Sequence, residues 1–259
     1  MLLEEFDPAE RAVIHPGDTI APVAGMPSVM VSCFASVTFN RMVERLHAVP
    51  IAASKSANMT FPVYRAEADG MPIALQMAGV GAPLCVGTLE EAYAMGVEAV
   101  VLFGNCGVLD RAIEDCGIIL PTAALRDEGT SFHYAPPSDE IEVNPRYRAE
   151  FLRVLEEWGV RHVQGKTWTT DAFYRETREK VQRRRAQGCI CVEMEAAAVA
   201  ALAQFRRKEA FIFFYAGDNL DGEGWDERSL SNHASIDTKD RVALLALELA
   251  RRIALAKAT

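Results

Sequence analysis

Short apolar, β-branched runs alternate along this chain with longer segments of helical period, and that alternation constrains the fold more than any other feature. It is typical of a sheet covered on both faces by helices, which defines the α/β class. The predicted strands are residues 28–33, 72–78, 99–104, 117–122, 161–166, 189–192 and 210–216. The predicted helices are residues 38–47, 88–95, 145–158, 171–187, 194–205 and 238–256.

Nothing in the sequence marks a boundary between domains. No internal repeat and no linker rich in Pro, Gly or Ser interrupts the 259 residues, so we expect a single domain over residues 1–259. Residues 126–144 have no period and are expected to form a long excursion, a kind of segment that is usually functional or mobile.

The charge of the chain excludes two classes of partner. A net charge of −9 would repel the phosphates of nucleic acids and of anionic membranes, so we expect neither as a partner.

The N-terminus is acidic and has no long apolar core behind it, which predicts a cytoplasmic protein. The six cysteines show no Cys-x-x-Cys and no zinc-type grouping with histidine, so no metal site is predicted. The basic run 183–185 is predicted to be a solvated helix face.

Polar residues follow three of the predicted strands, at the sheet edge where α/β proteins bind ligands. The Gly-Asn-Cys-Gly turn at 104–107 lets backbone N–H groups approach a ligand, although a tight turn alone also explains it. Glu193 and Glu195 open an apolar helix, where they either meet a ligand or complement the helix dipole. Asp218 follows the most apolar predicted strand. It is either a residue of the site or part of an Asx turn or helix cap.

Together these segments resemble the nucleoside phosphorylase superfamily of purine and uridine phosphorylases. The order and spacing match at residues 104–109 (Gly-Asn-Cys-Gly-Val-Leu), 170–174 (Thr-Asp-Ala-Phe-Tyr), 192–198 (Val-Glu-Met-Glu-Ala-Ala-Ala) and 217–218 (Gly-Asp). Residues 126–131 (Arg-Asp-Glu-Gly-Thr-Ser), with His133 and Tyr134, resemble a block of the uridine branch. The resemblance implies a three-layer α/β/α fold with a mixed, partly closed central sheet.

The resemblance also implies roles for particular residues. Glu195 is similar to the family's carboxylate that binds the ribose hydroxyls, with Glu193 and Met194 beside it at the sugar. Asp218 resembles the aspartate that protonates or hydrogen-bonds N7 of a leaving purine, so Asp218 and Glu195 are the predicted catalytic residues. The predicted base-binding residues are Phe173, Cys106, Gly107 and Asp218.

The expected phosphate site departs from the family pattern. Leu102 stands where the family has an arginine, and the Gly-Asp pair at 17–18 precedes the first predicted strand instead of following it. The nucleosidase branch has a glutamate after that strand, and here no acidic residue comes before Glu44. The remaining candidates for phosphate binding are Gly104, Asn105, Ser36, Arg41 and Arg126, with His15 or Lys55 as a residue contributed by a neighbouring subunit.

The choice of nucleoside stays open at this point. Asp218 favours a purine, whereas Arg126 and His133 favour a pyrimidine. Thr177 and Glu179 stand where the uridine branch has the Gln and Arg that read its base.

The resemblance implies cleavage of a nucleoside's N-glycosidic bond, with inorganic phosphate as co-substrate and no other cofactor. A homo-oligomer, either a dimer or a hexamer, is expected. Two alternatives remain: a hydrolase that uses water on the same fold, and a relative that binds or stores nucleosides without cleaving them.

Overall fold

Within residues 2–258, which a computed structural model describes, ten strands pair into one mixed sheet. The strands are β1 Val29–Cys33, β2 Val49–Lys55, β3 Thr60–Ala68, β4 Met71–Met77, β5 Ala99–Val108, β6 Ile118–Asp127, β7 Glu140–Glu142, β8 His162–Thr170, β9 Cys189–Glu193 and β10 Glu209–Asn219. Their order is β10-β6-β8-β9-β5-β1-β4-β3-β2, and β7 pairs with β6. Since β10 also pairs with β5, the strands β5, β10, β6, β8 and β9 close into a ring. The predicted mixed, partly closed sheet is confirmed.

Helices cover both faces of this sheet. They are α1 Pro16–Thr19, α2 Ser36–Arg45, α3 Ala82–Met95, α4 Arg148–Glu157, α5 Arg178–Ala186, α6 Ala196–Arg206 and α7 Ile236–Ala258. One apolar cluster joins α3 and α6 to side chains such as Val100 and Ile212, and a second joins α2, α4 and α7 to Val101 and Phe213. Neighbouring strand residues thus serve opposite layers, which confirms the three-layer α/β/α architecture. None of the helices within residues 2–258 is long and apolar enough to cross a bilayer.

The central strands are buried on both faces, which is why their sequences read as continuous apolar runs. All five residues of β1 are buried, as are residues 99–104 of β5 and 211–217 of β10. Phe103 of β5 stacks on Phe213 of β10 with ring centroids 5.8 Å apart. These strands therefore form a rigid base for the polar residues that follow them.

Three strands were not predicted from the sequence. β2 and β3 form an antiparallel pair at the open edge of the sheet, and each contains a proline, Pro50 and Pro62. Proline and partial exposure are typical of edge strands and weaken the pattern that identifies a strand. The third, β7, lies inside the 126–144 segment and pairs with β6, so that segment is more ordered than a simple excursion.

The predicted helix at 171–187 is wrong in its first half. Residues Phe173–Arg175 form a 3₁₀ turn, and α5 begins only at Arg178. Thr177 caps the helix, because its side chain accepts a hydrogen bond from the Lys180 backbone N–H. The chain between Phe173 and Thr177 is therefore free to line a site.

Candidate active site

A cleft of about 730 Å³ lies where the ends of β5, β9 and β10 meet. β5 and β9 are antiparallel and overlap only near their last residues, with Gly107 opposite Val192. β10 is parallel to β5 and places Asp218 beside Gly107. The three strand ends therefore converge on Gly107.

Two glycines make this convergence possible. A Cβ on Gly107 would lie 2.5 Å from Leu220 Cδ1 and 3.2 Å from Asp218 Oδ1, so a larger residue would force its neighbours apart. Just before Asp218, the pairing of β10 with β5 shifts at Gly217, which is a β-bulge. A Cβ on Gly217 would meet the Cβ of Asn105 at 2.9 Å. Bulges redirect side chains at strand ends, and this one directs the end of β10 to the cleft.

The carboxylate of Glu193 is satisfied by the protein itself. Its Oε1 accepts hydrogen bonds from the hydroxyls of Thr167 and Thr169 at 3.1 and 2.6 Å. Its Oε2 accepts from the backbone N–H groups of Glu195 and Ala196 at 2.7 and 2.6 Å. Burial raises the pKa of Glu193, and these bonds act in the opposite direction. With its acceptors taken, Glu193 positions Glu195, in place of the ribose contact that the resemblance implies.

Glu195 is buried where two helices begin. It is the N-cap residue of α6, and its Oε1 accepts a 2.6 Å hydrogen bond from the N–H of Gly81, the N-cap residue of α3. Its Oε2 accepts a longer bond, 3.3 Å, from the Met194 N–H. Burial and then repulsion from Glu193 raise the pKa of Glu195 to about 8. Because each oxygen can accept a further hydrogen bond, the ionised side chain can bind two hydroxyl groups.

Asp218 lies at the end of β10 and contacts the strap, which we define as residues 219–231. Its Oδ2 accepts a 2.7 Å hydrogen bond from the Trp225 indole Nε1–H. Burial raises the pKa of Asp218, and the bond from Trp225 lowers it. The net rise favours the protonated carboxyl, which is the form that a general acid needs.

An aromatic surface lies on the same cleft. Phe173 is 52 % exposed and packs against Tyr174 with ring centroids 4.1 Å apart. Phe173 is therefore not an ordinary core aromatic, and its ring can stack on a planar ligand. Met194 and Cys106 also line the cleft, and burial raises the pKa of the Cys106 thiol so that it stays neutral.

The structure does not bring the two predicted phosphate-binding arginines to this cleft. Arg41, on α2, forms an ion pair with Asp240 on α7, in a separate groove. Arg126 points into the 126–144 segment, where its guanidinium donates to Ser131, to Ser138 and to the carbonyl oxygen of Pro136. Because these donors are already used, neither arginine is available to an anion beside Glu195, and those two assignments are corrected.

The other phosphate candidates divide between the cleft and its surroundings. Asn105 lines the cleft. Gly104 packs against Phe34, because a Cβ on Gly104 would lie 2.8 Å from Phe34 Cδ2. Ser36 begins α2 and is not among the residues that line the cleft. Leu102 is completely buried in the core. Leu102 is therefore not part of the cleft, whereas the apolar side chains of Phe34 and Val80 line it and cannot compensate the charge of a phosphate.

Sequence reasoning missed several residues of the cleft. Those from the start of α5 and the strap are Glu176, Arg178, Gln182, Arg185, Asp221 and Trp225. The prediction of a solvated face at 183–185 is wrong for Arg184, which is mostly buried and bonded to Asp127. Arg183 and Arg185 are exposed as predicted, and Arg185 also pairs with Asp221 of the strap. The signal that could have found them was the cap at Thr177, which fixes the helical register of α5.

Comparison with known proteins agrees with this fold. The chain belongs to the phosphorylase superfamily, whose sequence model matches residues 21–255. The resemblance noted from the sequence is thereby confirmed.

Individual relatives are more distant. A guanosine phosphorylase from Halorubrum lacusprofundi is 33% identical over 153 residues, 58% of this chain and 62% of that protein. A uridine phosphorylase from Thermococcus kodakarensis is 33% identical over 109 residues, 40% of this chain and 38% of that protein. This chain thus spans less than two thirds of the length of either relative. The crystal structure of a uridine phosphorylase from Vibrio fischeri shares the fold, with a TM-score of 0.73 and 22% identity over 92% of this chain and 96% of that one.

Proposed function

We propose that this chain cleaves the N-glycosidic bond of a nucleoside and releases the free base. The observation that carries the proposal is Glu195, a buried carboxylate with unused acceptor capacity that shares one cleft with Asp218 and Phe173. The names of the relatives, a guanosine phosphorylase and a uridine phosphorylase, support the same chemistry.

In this scheme Glu195 binds the ribose hydroxyls, while Met194 packs against the sugar. The donated hydrogen bonds favour the ionised carboxylate, whose charge stabilises an oxocarbenium-like transition state. Asp218 donates a proton or a hydrogen bond to the base as it leaves with negative charge on its ring. Phe173 stacks on the base, and the Cys106–Gly107 backbone lies beside it.

The proposed acceptor is inorganic phosphate, and the scheme needs no other cofactor. Within residues 2–258, the arginines that line the cleft are Arg178 and Arg185, and both are bonded to the strap. Residues 104–107 lie in β5 and do not form the expected turn. A phosphate beside the sugar would therefore use the Asn105 side chain and those backbone N–H groups of this strand end that the sheet leaves unpaired, completed by a basic residue of a second copy of the chain. His15 and Lys55 are candidates for that residue, so we propose a homo-oligomer, a dimer or a hexamer.

Hydrolysis is the second candidate function. It is favoured by one observation, the apolar side chains of Phe34 and Val80 in the lining of the cleft. An apolar surface does not compensate a dehydrated phosphate dianion, whereas a neutral water needs less compensation.

The proposed location is the cytoplasm. All six cysteines lie within residues 2–258 and are free thiols. Unpaired thiols are typical of a reducing compartment.

Base release from purine and pyrimidine nucleosides tests the function, with and without millimolar phosphate and with the sugar product identified. We expect pentose 1-phosphate to form only when phosphate is present. Free ribose at a phosphate-independent rate would replace phosphorolysis by hydrolysis. If no nucleoside gave any product, a binding or storage role would replace both.

A further inference from the structure

Trp225 of the strap contacts a residue of the proposed mechanism through the one polar atom of its side chain. Its indole Nε1–H donates to Asp218 Oδ2 at 2.7 Å. Trp225 lines the cleft and is 62 % exposed, so it adds little to the core. An indole has one N–H donor and no acceptor, so the direction of this hydrogen bond is fixed.

The backbone next to Trp225 is tied to the end of β10. The N–H groups of Asn219 and Asp226 donate to each other's carbonyl oxygens at 2.8 and 3.1 Å, which closes residues 219–226 into a loop. Asp218 and Trp225 immediately precede these two bridged residues. The contact between the indole and the carboxyl group is therefore supported by the backbone as well as by the side chains.

The donor that reaches Asp218 is uncharged. Arg228 of the strap lowers the pKa of Asp218 by its charge, but its guanidinium donates to Asp226 Oδ2 and to the Ile113 carbonyl oxygen. Within residues 2–258, the side-chain hydrogen bond to Asp218 comes from the indole. A bonded guanidinium would favour the ionised form, whereas an indole can stay bonded to the carboxyl group in either protonation state.

The two carboxyl oxygens of Asp218 therefore differ. The carbonyl oxygen of a protonated carboxyl group accepts hydrogen bonds better than its hydroxyl oxygen, so the bonded Oδ2 is the carbonyl oxygen and Oδ1 carries the proton. Oδ1 lies 3.2 Å from the position that a Cβ on Gly107 would take. Gly107 belongs to the strand end that we place beside the base, so the proton is directed to the base.

We propose that Trp225 is a positioning residue that places the acidic proton of Asp218 on Oδ1, towards the leaving base. This inference rests on the proposed function. When the N-glycosidic bond breaks, its electron pair stays on the base, and the proton of Oδ1 moves to a ring nitrogen. Asp218 is left as a carboxylate, and a hydrogen bond to a carboxylate is stronger than one to the neutral acid. The indole thus stabilises the charge that develops on Asp218 in the transition state.

Trp225→Phe tests the proposal, because it keeps an aromatic ring and removes the N–H donor. We expect kcat/KM for purine nucleosides to fall about 10-fold. A nitrophenyl riboside, whose leaving group needs no proton, should change by less than about 2-fold. Trp158→Phe is the matched control, the same change at a partly exposed residue that ends α4 outside the cleft, and it should leave both values unchanged.

The pH profile distinguishes positioning of the proton from support of the strap. The bond from Trp225 lowers the pKa of Asp218, so removing it raises that pKa. The alkaline limb of kcat/KM for purine nucleosides should therefore move to higher pH in Trp225→Phe. Other ionisable groups that interact with Asp218 are unchanged in the variant, namely Arg228, Asp226, Glu176 and Cys106.

Equal losses on both substrates with an unshifted pH profile would show that Trp225 only supports the strap, and would overturn the inference while leaving nucleoside cleavage intact. If the wild-type chain cleaves no nucleoside, the proposed function fails, and an NMR titration of the carboxyl carbons then decides. The Asp218 signal, assigned with Asp218→Asn, should titrate at higher pH in Trp225→Phe than in the wild type. Titration at the same pH in both proteins would refute the role of Trp225.

Discussion

Three carboxylates of the cleft are held in different ways, and their surroundings assign different tasks to them. Glu193 accepts four hydrogen bonds from the protein and is a structural support. Glu195 accepts two from backbone N–H groups and keeps capacity for a ligand. Asp218 accepts one from Trp225, an exposed side chain that can move aside. The number of hydrogen-bond donors that the protein supplies thus distinguishes the structural carboxylate, Glu193, from the two that can act on a ligand, Glu195 and Asp218.

Asp218→Asn tests the role of that residue in base departure. We expect cleavage of purine nucleosides to fall by roughly 10²–10⁴-fold, because the amide cannot donate the proton that the leaving base needs. A nitrophenyl riboside, whose leaving group needs no proton, should lose much less. Steady-state rates on both substrates provide the measurement, and equal losses would indicate a structural cap.

At the level of elements, the strap is bonded to two helices, α7 and α5. The Lys239 ammonium of α7 is buried and donates to the carbonyl oxygens of Ser229 and Ser231 at 2.7 and 2.6 Å. Arg178 and Arg185 of α5 bond the strap at Gly222 and Asp221. These contacts position Trp225 against Asp218, so the strap forms part of the site.

Lys239→Met tests this anchoring. The substitution keeps most of the apolar stem but leaves two carbonyl oxygens without their charged donor, so we expect a stability loss of about 2–3 kcal/mol. Urea denaturation measures it. Lys180→Met, at a partly exposed ion pair, should cost less than about 1 kcal/mol. Equal stability of the wild type and Lys239→Met would show that the lysine does not hold the strap.

The elements also show what the sequence could predict. The residues at strand ends, Asn105, Glu195 and Asp218, were placed in one site because central strands are apolar enough to be recognised. Glu176 was missed because the start of α5 was predicted seven residues too early, 171 against 178. The position of Arg41 after β1 predicts a phosphate-binding residue, but sequence position does not reveal that its partner in the structure is Asp240.

At the scale of the whole molecule, the closed ring of strands is what brings the site together. It depends on β10, which pairs with two strands: parallel to β5 and antiparallel to β6. Both of these strands are far from β10 in the sequence. Apolar patterning predicts that these strands are central but contains no information about that double pairing. The layers were therefore predictable from the pattern, whereas the closure came from the family resemblance.

The buried carboxyls make the stability of the whole fold depend on pH. Glu195 has a pKa of about 8 in the folded chain and near 4.5 when unfolded, and burial raises the pKa of Glu193 as well. Between about pH 5 and pH 8 the folded chain therefore binds more protons, so the free energy of unfolding should decrease as pH rises. We expect Glu195→Gln to remove about 1–3 kcal/mol of that decrease, measured by urea denaturation at pH 5.5 and pH 8.0. An identical decrease in the variant would contradict the raised pKa.

The central claim is that Glu195 binds the sugar of a nucleoside whose bond is cleaved in this cleft. The most direct measurement is kcat/KM of Glu195→Ala on the best nucleoside substrate, with circular dichroism to verify its fold. Two hydrogen bonds to a charged group contribute about 1.5–3 kcal/mol each, so we predict a fall of roughly 10²–10⁴-fold in a natively folded variant. Unchanged kinetics in such a variant would remove Glu195 from the site and contradict the account.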